Sequence, residues 1–99
     1  MKISDVQDVV CKRFDVSKAA LLGGRQKRHV CNARLVAYWF ACELFPEKSM
    51  AQIGLAFRRE RTTIVHGHQR ARDLALQDQD LIDRIKLCLD DLWEITRHD

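Results

Sequence analysis

The chain of 99 residues has one proline, four glycines, and as aromatics two Trp, one Tyr and four Phe. So few turn formers leave little room for the closely spaced turns of a β-sandwich, and an all-α chain is the expectation. No apolar run approaches the roughly 20 residues of a membrane span. The opening MKISDVQDVV carries an early acid and no small-residue cleavage site, unlike a secretory signal. No stretch fits the G-x-x-x-x-G-K-[ST] phosphate loop, so no nucleotide is expected. Cys11, Cys31, Cys42 and Cys88 make no C-x-x-C pair. Cys31 and Cys42 would share a helix face, but three turns apart, about 16 Å, too far for one metal or a disulfide. All four read as reduced, small apolar residues of a cytoplasmic protein. His66 and His68 lie two apart on a helix and point to different sides, unlike the four-apart pair of a zinc helix. The acids near the C-terminus spread around a solvent face instead of pairing in an apolar pocket. No metal, cofactor or catalytic site is expected.

What is present is a single domain spanning residues 1–99, with an ordinary apolar share of 46%. The net charge of +3 is modest, but it is unevenly spread. Arg25, Lys27, Arg28 and Arg34 stand together without an acid. Arg58, Arg59, Arg61, Arg70 and Arg72 are set against Glu60 alone. From Asp73 to Glu94 acids outnumber bases. A chain basic in its middle and acidic at its end offers one face to a polyanion and turns another away.

Taken in order, Ser4 and Gln7 form a capping box ahead of Val6, Val9, Val10 and Phe14, an amphipathic helix ending near Asp15. Ser17 caps a short helix through Leu22, and Gly23-Gly24 stops it as a flexible joint. The longest helix runs from about Gln26 to Phe45, with Val30, Ala33, Ala37, Ala41 and Leu44 as its packing stripe. Tyr38 and Phe40 are assigned to the core and Trp39 to a partly exposed position. The last helix opens on an Asp cap and buries Leu81, Ile85, Cys88, Leu89, Leu92 and Trp93.

Between these, residues 49–75 read as a helix-turn-helix. Ser49 and Gln52 make a capping box, with Ile53 and Phe57 one turn apart. A tight turn bearing Arg58 and Arg59 follows. A second helix begins near Glu60 and carries Ile64 and Val65 inward. In a helix-turn-helix the start of the second helix enters the DNA major groove. Arg61 suits a bidentate pair with guanine O6 and N7, and Thr62 and Thr63 suit a thymine methyl, a base edge or a phosphate. Glu60 either caps the helix or accepts from cytosine N4. Arg58, Arg59, Arg70 and Arg72 are placed for phosphates, which add affinity without sequence information.

These residues resemble the C-terminal DNA-binding domain of the bacterial replication initiator DnaA, over about Ile3 to Leu92. The early Val6–Phe14 helix, the basic loop, Ala33-Arg34-Leu35 through Tyr38-Trp39, and Ser49 to Gly54 match in turn. The signature F-G-G-R-D-H-T-T-V-x-H-A reads here Phe57-Arg58-Arg59-Glu60-Arg61-Thr62-Thr63-Ile64-Val65-His66-Gly67. The resemblance implies six helices in a Trp-repressor-like all-α fold and binding of double-stranded DNA, with a monomer on its site. It implies that Glu60, Arg61 and Thr62 read major-groove bases, and that Thr63 lies near the backbone. It places the loop Arg25, Gln26, Lys27 and Arg28 at the minor groove and Arg34 beneath the phosphates. The turn here is one residue shorter, arginine replaces its glycines, and Arg61 stands where the family has His. With Met1 as a natural start, the chain would be a free-standing binder without the initiator's ATPase. It would then compete at initiator boxes or regulate transcription. A regulator of unrelated sites and an interaction module without DNA binding are the alternatives.

Overall fold

A computed structural model describes residues 1–98. Six helices account for the order along the chain: α1 Ile3–Phe14, α2 Lys18–Leu22, α3 Arg28–Leu44, α4 Met50–Phe57, α5 Arg61–Ala75 and α6 Gln79–Arg97. Among the described residues there is no strand. α3 is the central post. It packs most closely on α5 and α1, while α4 lies on α5 and α6 lies on α1.

The all-α expectation holds, and several local readings are corrected. α1 starts two residues early, at Ile3, because Lys2 takes the N-cap position and its backbone N–H donates to Asp5 Oδ2 at 2.7 Å. The Ser4–Gln7 box therefore does not form. Gln7 is buried instead, and its Nε2 donates to the Ala56 carbonyl at 2.9 Å, tying α1 to the end of α4. Ser17 does cap α2, accepting from the Ala20 N–H. α3 begins at Arg28 rather than Gln26 and ends at Leu44. Its stripe of small residues is fully buried at Ala33, Ala37 and Ala41, but Leu44 reaches solvent. Tyr38 and Phe40 are core and Trp39 is half-buried, as the spacing predicts.

α6 differs most from its sequence pattern. Asp78 caps it by accepting from the Leu81 N–H, and Leu81, Cys88 and Leu92 are buried. Leu89 and Trp93 are not core: they stay 45% and 64% exposed. The period was right, but only α1 covers this helix closely, and one neighbour shelters a narrower stripe than the pattern offered. The acidic face is anchored by Arg13, whose guanidinium grips Asp91 through two bonds of 2.7 and 2.8 Å. Those bonds hold the Asp91 carboxyl below its ordinary range. All four cysteines are free, and burial pushes the Cys88 thiol up to about 12.

Candidate DNA interface

Residues 49–75 build the site from two well-capped helices and a short turn. Ser49 Oγ accepts from the Gln52 N–H while Gln52 Oε1 accepts from the Ser49 N–H, so the predicted capping box is present. α4 ends when Arg58 enters the left-handed region at φ 57°, ψ 42°. The Arg59 N–H then reaches back to the Gly54 carbonyl at 2.9 Å, the six-to-one bond of a Schellman ending. Gly54 is required here. A Cβ on it would lie 2.6 Å from the Arg59 carbonyl oxygen, so the chain can fold back this tightly only over a bare Cα.

Glu60 follows in extended conformation as the N-cap of α5, but its side chain makes no cap hydrogen bond. Its carboxylate is thus not the helix cap that the sequence favoured, and it stands exposed beside Arg61. α5 is held by Ile64, Gly67 and Ala71, all buried against the core. Gly67 lets the helix close on α3: a Cβ there would meet the Tyr38 ring at 2.5 Å. Tyr38 in turn stands edge-on to Phe57, ring centroids 4.9 Å apart, which joins α3 to the end of α4. Val65 is corrected to an exposed position, since Ile64 already faces the core and its neighbour must turn away.

With one side packed, α5 presents Arg61, Thr62, Thr63, His66, Gln69 and Arg70 to solvent. Thr62, Thr63, His66 and Arg70 line a shallow hollow of about 420 Å³ floored by Leu35 and Tyr38 of α3. From the sequence His66 was set on an outward face of the second helix and within the family signature, but it was given no role on DNA. Its position four residues after Thr62 on one helix face was the available sign that it belongs to this surface. Among the described residues, no group of three His, Cys, Asp or Glu side chains is placed to hold a metal.

Arg25, Gln26, Lys27 and Arg28 are all exposed on the segment before and at the start of α3. Arg34 and Arg59, by contrast, are turned toward backbone carbonyls. Arg34 is 6% exposed, and all five of its guanidinium N–H groups are used. Nε donates to the Leu21 carbonyl at 2.9 Å and Nη2 to those of Ala20 and Gly23 at 2.8 Å each. Nη1 donates to the Arg25 carbonyl and to Cys31 Sγ. Arg34 is thus an internal brace between α3 and the end of α2. Its charge is compensated by carbonyls at and just after the end of α2, of which that of Ala20 also accepts from the Gly23 N–H at 3.3 Å. Arg59 is half-buried and donates to the carbonyls of Gly23, Leu22, Phe57 and Arg58. Gly23 is accordingly a pinned position and not a free joint. Burial raises the Tyr38 phenol, with the Arg59 and Arg34 guanidiniums nearby drawing it back.

Two helices joined by a three-residue turn, the second free at its N-terminal end, define a helix-turn-helix domain. The comparison with known proteins agrees: the family described as bacterial DnaA protein helix-turn-helix matches residues 3–71, and the chain belongs to it. The chromosomal replication initiator protein DnaA of Bartonella quintana is 35% identical over 88 residues, 88% of this chain and 18% of that protein. The DnaA of Rhodopseudomonas palustris is 34% identical over 95 residues, 95% of this chain and 20% of the relative. That of Brucella abortus is 32% identical over 88 residues, 88% of this chain and 18% of the relative. The chain thus spans about a fifth of the length of the curated relatives it matches.

Proposed function

We propose that this protein binds double-stranded DNA sequence-specifically, at sites related to those of DnaA, and so regulates the initiation of replication. The observation that carries this reading is the open N-terminal end of α5, where Arg61, Thr62 and Thr63 are exposed on a helix fixed from behind. Glu60, Arg61 and Thr62 read base edges in the major groove, Arg61 through a bidentate pair with guanine. Thr63, Arg58 and Arg70 contact the sugar-phosphate backbone, and Arg25 to Arg28 enter or border the adjacent minor groove. His66, beside Thr62 in the hollow, adds a polar contact to the same groove. The protein acts without enzymatic chemistry, nucleotide or metal, as a cytoplasmic monomer at the nucleoid.

Fluorescence anisotropy at physiological salt tests this, comparing a duplex with the initiator's recognition box to a scrambled duplex of equal length. The expected preference is about 100-fold, or roughly 2.7 kcal/mol. Tight binding to both duplexes alike would refute the related-site assignment. It would favour a regulator of other sites, for which the altered turn and Arg61 are the specific grounds. Binding to neither duplex would refute the DNA reading itself.

A further inference from the structure

The carbonyl of Gly23 is where two distant guanidiniums meet: Arg34 from the middle of α3, and Arg59 from the turn between α4 and α5. Each arginine also holds backbone on its own side of that junction. Arg34 fixes the Arg25 carbonyl inside the basic loop, and Arg59 fixes the carbonyls of Phe57 and Arg58 inside the turn. A continuous series of hydrogen bonds therefore runs from Arg25 through Arg34, Gly23 and Arg59 to Phe57 and Arg58, just before Glu60. Gly23 follows the last residue of α2 as its C-cap, so its carbonyl stands outside the helical ladder and serves as the shared acceptor. The arrangement depends on the planar fork of arginine, because a lysine ammonium is a single compact point on a flexible stem.

We propose that Arg34 and Arg59 form a clamp that fixes the basic loop against the turn. Loop and recognition helix then meet DNA as one preset, two-point surface. Arg59 is on this account a positioning residue and not a phosphate contact. The proposal rests on the DNA-binding reading above. Its gain is preorganisation: without the clamp, binding must order a loop of exposed residues against the helix at the moment of contact. The clamp also makes the loop's contribution conditional on a residue 34 positions away from Arg25 (59 − 25) in sequence.

Arg59→Lys keeps the charge and removes the fork, and it is read in a double-mutant cycle with Arg25→Ala. Specific-duplex affinity is measured for all four proteins, after circular dichroism has shown the helical content to be unchanged. The expectation is that Arg25→Ala weakens binding about tenfold in the parent and less than about threefold beside Arg59→Lys. Additive losses, with Arg59→Lys binding like the parent, would overturn the clamp and return Arg59 to the phosphates. A second measurement needs no DNA. Backbone NMR order parameters of Gly24 to Lys27 in the free protein should fall in Arg59→Lys, and unchanged order would also overturn the proposal. If the parent bound no duplex, the DNA reading would fail, while this second measurement would still decide whether the clamp exists. Arg34→Lys serves as the companion variant, expected to loosen the same loop and to lower stability as well.

Discussion

Arg58→Gly should raise stability and weaken DNA binding at once, which separates folding from function at a single position. Arg58 holds φ 57°, ψ 42°, a left-handed conformation that costs an L-residue about 1–2 kcal/mol. Glycine adopts it freely but gives back about 0.5–1 kcal/mol through the greater freedom of its unfolded chain. The bond that Arg58 itself makes, N–H to the Leu55 carbonyl at 3.2 Å, is a backbone bond that glycine retains. The net expectation is a gain of about 0.5 kcal/mol, or roughly 2–4 °C in Tm for a domain of this size. On the proposed role of Arg58, the variant loses one charge facing the DNA backbone. The slope of log K against log salt should become shallower by about 0.9, with equal losses on specific and scrambled duplexes. Thermal unfolding by circular dichroism and anisotropy titrations at four salt concentrations read both effects. A lowered Tm would refute the strain argument. An unchanged salt slope would remove Arg58 from the phosphates.

Other substitutions test the remaining parts of the interface and its support. Arg61→Ala should cost about 1–3 kcal/mol of discrimination between the specific and scrambled duplexes, whereas Arg70→Ala should weaken both alike. Equal losses for Arg61→Ala on the two duplexes would sink the base-reading role. Gly54→Ala drives a methyl into the Arg59 carbonyl and should destabilise by about 1–3 kcal/mol; an unaltered Tm would mean that the turn has slack. Asp91 is held below its ordinary pKa of 3.8 by the Arg13 bonds, so its contribution is full above that value and disappears as pH falls through the lower folded value. In urea unfolding, the stability gap between the parent and Asp91→Asn should be constant down to about pH 4 and close below it. A gap that persists at pH 2 would show that something other than ionisation of Asp91 sustains it.

The elements most legible in the sequence were those whose signals are local. Ser17, Ser49 with Gln52, and Asp78 cap the helices they were expected to cap, because a cap is decided within four residues of chain. The capping box at Ser4 failed for an equally local reason. Asp5 offered the same chemistry to the Lys2 N–H two residues earlier, and Gln7 found a partner on α4 that no short window contains. Val65, Leu89 and Trp93 were misplaced because periodicity gives the apolar direction of a helix but not how much of it neighbours will cover.

The candidate interface divides in the same way. Sequence alone determined an all-α chain, a helix-turn-helix near its centre, the basic residues around it and the motif residues that resemble the DnaA family. These follow from composition, from the 3.6-residue period and from short motifs, none of which needs a third dimension. Only the tertiary structure decided which arginines are available to a ligand. Arg34 and Arg59 carry the same charge as Arg28 and Arg58 and stand with them in the two basic runs. They are nevertheless turned inward, because the carbonyls at and just after the end of α2 lie within their reach. A charge in a sequence is a donor without an address, and the address is set by which acceptors the folded chain leaves unsatisfied nearby.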